Sequence, residues 1–302
     1  MNRWIVYQRE RFPLAGHGPL VAAFSTSAVC YSALARSSPA PALSSLLVAF
    51  VTSLLFFLQL RIADEFKDFE DDSRHRPYRP VPRGLVTLRE LAWIGAAAAL
   101  VQLALALALD PSIVWMLVMA WVYLALMTKE FFAARWLKSH PVIYMTSHMV
   151  ILPIVDLYAT ATDWWVAGLR TPPTSLFWFL VVSYLNGLVV EIGRKTRVPA
   201  DEEPGVETYS ALWGTRGAAL AWTFAVLLTA AAAYRAAAGI GTERWMLVLL
   251  VVLVALCGAA AWRVTHSTAR GSGRSIELMS GVWTVLMYLG LGAAPLVFAW
   301  LR

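Results

Sequence analysis

Cysteine is nearly absent: the 302 residues include 2, Cys30 and Cys257, and both fall inside apolar stretches. Small buried thiols are the expected state there, which excludes a disulfide-stapled fold and a cysteine metal site. Charge is also scarce. Asp, Glu, Lys and Arg make up 15% of the chain against 59% hydrophobic residues, and the mean hydropathy is +0.61. Such a composition excludes an ordinary soluble domain. The sequence has no separate soluble domain, no repeat of solenoid period and no RNA- or DNA-binding module. A removable leader is not expected either, because the apolar region starts late and no small-residue cleavage site follows it.

What the chain has in quantity is long apolar segments. Nine reach or approach spanning length, at about 19–36, 43–62, 90–109, 111–128, 141–160, 175–193, 216–234, 244–262 and 276–300. The pattern predicts an all-α membrane protein of nine transmembrane helices, one domain over residues 1–302. Residues 1–18, with Arg3, Trp4, Arg9, Arg11 and Pro13, read as an interfacial lead-in. With the N-terminus in the cytoplasm, all of the 25 Lys and Arg residues except Arg36, Arg170, Arg235, Arg244 and Arg302 fall on the cytoplasmic side. That orientation puts the charged loops 63–89 and 194–215 in the cytoplasm. The formal net charge of +6 then reports topology and attraction to anionic membrane lipid, not nucleic-acid binding.

The most informative stretch is 64–84, DEFKDFEDDSRHRPYRPVPRG, three residues after the run LLVAFVTSLLFFLQL. Ionisable groups this dense at a bilayer edge need metals, partners or water. Asp64, Asp68 and Asp72 recur every four residues and share an arc of about 80° if the segment is helical. Glu65 and Asp71 fall near that arc, and Glu70 points away. Carboxylates on one face repel one another unless a cation sits among them, and hard oxygen ligands of this kind suit Mg²⁺. Mg²⁺ is commonly shared between one or two carboxylates and substrate phosphate oxygens, so a phosphorylated substrate is the natural companion. Arg76, Arg79 and Arg83 follow, with guanidinium groups that match phosphate geometry. Pro77, Pro80 and Pro82 predict an extended arginine segment.

A second charged constellation ends the sixth span: Glu191, Arg194, Lys195 and Arg197, then Asp201, Glu202 and Glu203, then GVETYSALWG over 205–214. Glu191, like Asp64, sits at the cytoplasmic end of an apolar helix, four spans later. A Glu beside Arg and Lys at a membrane end can serve a metal and a phosphate, or can be a plain i,i+4 pair with Lys195.

Span count, the acidic end after span two, the RPYRPVPRG run and the loop closing on GVETYSALWG together resemble the UbiA superfamily of intramembrane prenyltransferases, over roughly residues 43–220. In that family the first motif reads Asn-Asp-x-x-Asp-x-x-x-Asp, then Arg-Pro-x-Arg-Pro. Here Asp64 takes the Asn position and Glu65, Asp68 and Asp72 take the Asp positions. Arg76-Pro77 and Arg79-Pro80 match directly. Lys129 resembles the family's lysine that approaches the diphosphate. The second motif departs from the pattern, with Glu191, Arg194 and Lys195 where spaced Asp residues are usual.

The resemblance implies nine helices around a central cavity open to the cytoplasm, in a cytoplasmic membrane expected to be prokaryotic. It implies Mg²⁺ on Asp64, Glu65, Asp68, Asp72 and Glu191, with Asp64, Asp68, Asp72 and Glu191 as catalytic residues. Arg76, Arg79, Lys129, Arg194, Lys195 and Tyr209 would bind diphosphate. The implied reaction moves a prenyl group from an isoprenoid diphosphate donor to an aromatic or other hydrophobic, lipid-like acceptor. Breaking an allylic carbon–oxygen bond leaves a diphosphate and an allylic cation. The charged groups would stabilise the first and aromatic faces such as Phe57, Tyr123, Tyr144, Trp178 or Tyr184 the second. The Arg and Lys of the second motif also fit a related reaction, phosphoribosyl transfer to a polyprenyl phosphate or cyclisation of a prenyl diphosphate. A cation or lipid transporter ranks last, since transport predicts ionisable residues strung across several spans, and here they gather at one face.

Overall fold

The protein is described by a computed structural model covering residues 2–203, 205–267 and 269–301. Among these residues the chain is helical throughout, with no strand. The helices are α1 (Arg3–Arg11), α2 (Leu14–Ala35), α3 (Leu43–Lys67), α4 (Phe69–His75), α5 (Leu88–Leu109), α6 (Val114–Thr128) and α7 (Ala134–Lys138). They continue with α8 (Pro141–Met149), α9 (Ile151–Trp164), α10 (Leu176–Arg194), α11 (Tyr209–Ala238), α12 (Glu243–His266), α13 (Arg274–Leu291) and α14 (Ala293–Trp300). Nine stretches among the described residues are long and apolar enough to cross a bilayer, and each coincides with an expected span. The chain is a multi-pass membrane protein.

Local chemistry explains the ends of these helices. The side chain of Thr87 accepts from the Glu90 amide while Glu90 bonds back to the Thr87 amide, a capping box that starts α5. Asp110 accepts from Ser112 N at 2.8 Å and Pro111 opens the next turn, giving the short hairpin between the third and fourth spans. Four details differ from the sequence expectation. The lead-in ends early, because α2 already begins at Leu14. The fifth span breaks at Val150, where Pro153 cannot donate to the Met149 carbonyl, and the ninth breaks at Gly292. The seventh starts earlier, at Tyr209, but turns sharply at Gly214, whose φ of 71° only glycine adopts freely. Arg302, assigned to the outer side above, lies outside the described residues.

The chain packs as two compact units: residues 1–29, 41–144 and 154–171 form the first, and 30–40, 145–153 and 172–302 the second. Between lipid-embedded helices, close packing and hydrogen bonds replace the hydrophobic drive of soluble cores. In the first unit Gln102 Nε2 donates to Thr52 O at 3.1 Å and its Oε1 accepts from Trp121 Nε1 at 2.9 Å, tying α3, α5 and α6. In the second unit Trp222 Nε1 donates to Ser280 Oγ at 2.8 Å, and Trp283 Nε1 to Asn186 Oδ1 at 3.1 Å. Gly193 lets this happen: a Cβ there would lie 2.0 Å from Ser280 Oγ and 3.2 Å from Trp222 Nε1.

Gly193→Ala should therefore displace Ser280 and cost about 1–3 kcal/mol. Thermal unfolding in detergent should show a lowered midpoint, and adding Ser280→Ala should restore part of it.

Candidate functional site

In the first unit, α3 ends at Lys67, Asp68 leaves helical geometry (φ −93°, ψ 5°), and α4 resumes at Phe69. Backbone bonds carry through the break, from Asp68 N to Asp64 O at 2.8 Å and from Asp72 N to Asp68 O at 2.7 Å. The three aspartates thus keep their one-turn spacing. Their surroundings differ. Asp64 Oδ2 lies 3.4 Å from Arg61 Nη1 and is partly exposed. Asp72 is buried, accepting from Arg79 Nη1 at 2.5 Å and from Arg76 Nη1 at 3.4 Å. Glu65, also buried, is bonded by Arg11 of α1. Asp71 lies 3.3 Å from Lys138 Nζ.

The Asp68 carboxylate has no hydrogen bond or ion pair with any described residue. Burial, and next the negative charge of Asp64, push its pKa above the ordinary carboxylate range, with Lys67 and Arg79 acting in the opposite direction. Lys67 itself bonds the Tyr144 hydroxyl, and its Nζ sits 4.9 Å from that ring's centroid.

The arginine segment is not extended. Arg79 N bonds Arg76 O at 3.0 Å, Arg83 N bonds Arg79 O at 3.0 Å and Leu85 N bonds Pro80 O at 2.9 Å, so residues 76–86 form successive turns. Proline fixes φ near −65°, which suits the second position of a turn as well as an extended strand, and here the turns win. The reason is apolar anchoring. Val81 and Val86 pack with Tyr7 of α1, Ile62 of α3 and Leu91 of α5. Arg83 completes the fastening at 2.9 Å from Glu10.

Lys129 caps α6, is exposed and makes no ion pair among the described residues. Glu130, Phe131 and Phe132 follow with φ of 47°, 53° and 59°, a left-handed turn without glycine. Tyr123 packs edge-on to Phe131 at 5.6 Å, and Phe57 to Phe24 at 5.5 Å.

In the second unit the structure brings Glu191, Arg194, Lys195 and Tyr209 together. Buried Glu191 lies 2.5 Å from Arg194 Nε and 3.0 Å from Lys195 Nζ, one partner for each oxygen. Lys195 O accepts from Tyr209 N at 3.0 Å, and Lys195 Nζ stands 5.6 Å from the Tyr209 ring. The acidic trio that follows ties down its own loop. Asp201 accepts from Gly271 N at 2.8 Å, Glu202 from Ser210 Oγ at 2.7 Å, and Glu203 from Arg197 Nη1 at 3.1 Å. Tyr184 OH donates to Thr146 O at 3.3 Å, and Trp178 lies under the Arg235 guanidinium at 5.5 Å.

The sequence model of the UbiA prenyltransferase family matches residues 23–281. The chain belongs to the UbiA prenyltransferase family. A curated relative, diterpene cyclase eriG of Hericium erinaceus, is 26% identical over 185 residues, which is 60% of this chain and 55% of the relative. The chain thus spans about half the length of that relative. Solved structures share the fold. A UbiA homologue from Aeropyrum pernix K1 in its apo state aligns with a TM-score of 0.66 at 14% identity, over 89% of this chain and 96% of its own. A digeranylgeranylglyceryl phosphate synthase aligns at 0.63 and 16%, over 99% of both chains. A UbiA homologue from Archaeoglobus fulgidus, bound to DMAPP and Mg²⁺, aligns at 0.57 and 12%, over 94% of this chain and 97% of its own.

Within this UbiA chain, sequence reasoning did not find Arg11 or Tyr7 as neighbours of the acidic motif, or Lys67 as the partner of Tyr144. Arg11 and Glu65 are 54 residues apart, and no local spacing signals a pair across that separation.

Arg79→Leu should strand the buried Asp72 charge and cost about 2–3 kcal/mol, reduced from a fully buried pair because Arg79 is partly exposed. Asp72→Asn in the same chain should recover most of the loss in a melting experiment.

Proposed function

We propose that this UbiA protein is an Mg²⁺-dependent intramembrane prenyltransferase that takes a prenyl diphosphate donor at the Asp64–Asp72 face and passes the prenyl group to a hydrophobic acceptor. The observation that carries it is Asp68: a half-buried carboxylate without a partner among the described residues, one turn from two further carboxylates, in a site where every other acid of the motif core is paired. A hard divalent cation is the group this oxygen set fits. No three acidic, histidine or cysteine ligands are already gathered for a metal among the described residues. That agrees with an ion taking one or two carboxylates and completing its shell with water and phosphate oxygens.

In this reading Asp68, with Asp64 or Asp72 one turn to either side, would hold Mg²⁺, which when bound would supply positive charge for the departing diphosphate. Arg79 and Arg76 hold Asp72 in place and keep further N–H donors for phosphate oxygens. Glu65, held by Arg11, fixes the end of α3. Lys129 adds a cation for the diphosphate. Arg194, Lys195 and Tyr209, gathered on Glu191 within the second unit, offer phosphate-binding donors of their own. The aromatic faces shield the allylic cation from water. The charge bias of the loops supports placing this face and the N-terminus on the cytoplasmic side.

A second reading is cyclisation of the prenyl diphosphate with no separate acceptor. The match to a diterpene cyclase favours it, as does the replacement of acidic residues by Arg194 and Lys195.

The experiment is diphosphate release from geranylgeranyl diphosphate by the protein in lipid, with Mg²⁺ or EDTA, and with or without aromatic acceptors. Release should need Mg²⁺ and fall about 100-fold in Asp68→Ala, while that variant remains folded and membrane-inserted. Full activity in Asp68→Ala refutes the proposed diphosphate site. Release that is independent of acceptor, with a cyclic product, selects the second reading.

A further inference from the structure

At the end of the second unit opposite Glu191, the chain carries a cation for which the diphosphate chemistry has no use. Arg235 lies in the last turn of α11 and Trp178 in the first turn of α10, and the guanidinium sits over the Trp178 ring at 5.5 Å. Arg235 is exposed, and its side chain makes no ion pair or hydrogen bond among the described residues. A guanidinium at a bilayer edge needs water or an anion, and a Trp face covers only one side of it.

The same two residues stand at the mouth of a groove of about 390 Å³ between α10 and α11, a volume typical of ligand clefts. Its walls run from Trp178 to Leu185 on α10 and from Arg235 back to Leu228 on α11, about 10 Å along each helix and toward the middle of the membrane. Ala231 and Ala232 make this space, because their side chains are too short to fill it. Just past the mouth the two helices are pinned. The Tyr31 hydroxyl shares its hydrogen between Ser175 O at 3.0 Å and Ala236 O at 2.9 Å, and a Cβ on Gly239 would lie 2.5 Å from that of Ser175. The groove is therefore held open by the fold itself, and Arg235 is the one charged group on its wall.

That combination selects among occupants. A soluble anion would use Arg235 and leave the apolar walls unused. A neutral lipid would fill the walls and leave the guanidinium unmatched. A zwitterionic phosphodiester carries its own ammonium, which competes for the phosphate. An anionic phosphodiester with an acyl chain satisfies both parts, since its oxygens match the fork of N–H donors that the Trp178 ring leaves free. We propose that this groove binds a membrane lipid with an anionic phosphodiester head, its phosphate on Arg235 and one acyl chain between α10 and α11. The site serves the second unit as a lipid anchor and stands apart from prenyl transfer.

The test is native mass spectrometry of the full chain in neutral detergent, without donor or Mg²⁺, titrated with phosphatidylglycerol or phosphatidylcholine of the same acyl chains. Phosphatidylglycerol should bind about 10-fold more tightly, the worth of one charge-assisted hydrogen bond. Arg235→Gln should bring the two lipids level. Ala231→Phe, on an exposed position, should fill the groove and weaken phosphatidylglycerol as much while keeping the guanidinium. Arg244→Gln removes another exposed arginine at the same end, one outside the groove, and should leave the preference intact. Equal binding of the two lipids by the wild type would overturn the proposal, as would a preference that survives Arg235→Gln. An equal loss in Arg244→Gln would overturn it in favour of general attraction to anionic surfaces. Displacement of the lipid by excess inorganic phosphate, or wild-type binding in Ala231→Phe, would leave an anion contact with no chain in the groove.

Discussion

Everything around the acidic face depends on one constraint: a carboxylate at the edge of a bilayer must find a cation nearby or lose its charge. The first unit meets it acid by acid. Arg11 comes from the N-terminal helix, Arg61 from the preceding turn of α3, and Arg76 and Arg79 from the loop beyond α4. This matching fixes where α1 and the arginine loop must lie, and it leaves Asp68 without an ion pair among the described residues. In the second unit Glu191 meets the same constraint within its own helix end, using Arg194 and Lys195. The two acidic ends look alike in sequence, yet among the described residues Asp68 of the first has no ion pair while Glu191 of the second has two.

The nine spans were legible because hydropathy and length act locally, and a bilayer gives each helix the same requirement. The four-residue spacing of Asp64, Asp68 and Asp72 was legible for a similar reason, since helical periodicity survives a one-residue break. The course of the arginine loop was not. Its prolines permit both extended and turned backbone, and the choice is made by Val81 and Val86 reaching residues 7, 62 and 91. The breaks at Val150 and Gly292 also escaped a hydropathy pattern that stays apolar across them. Pairs such as Arg11 with Glu65 and Lys67 with Tyr144 depend on tertiary approach and leave no periodic trace.

Family membership explains the architecture but not the chemistry of the second loop. A fold shared at 12–16% identity with three solved structures, two of them UbiA homologues, is compatible with different acceptors and different fates of the prenyl cation. The sites of this chain carry a basic pair on Glu191 and a loop at 201–203 whose acids serve hydrogen bonds within the protein.

The seat of α1 also sets an order of assembly at the ribosome. Arg3 holds Glu90 at 2.6 Å, Arg11 holds Glu65, and Tyr7 packs on Val86 and Leu91, so each partner of α1 is synthesised well after it. At about 5–20 residues per second, α1 waits roughly 4–17 s before Glu90 exists. During that interval its Trp4, Ile5 and arginines can rest only on the membrane surface, where an amphipathic helix is at home. Made before its partners, α1 is therefore fastened only once the acidic motif and the start of α5 exist.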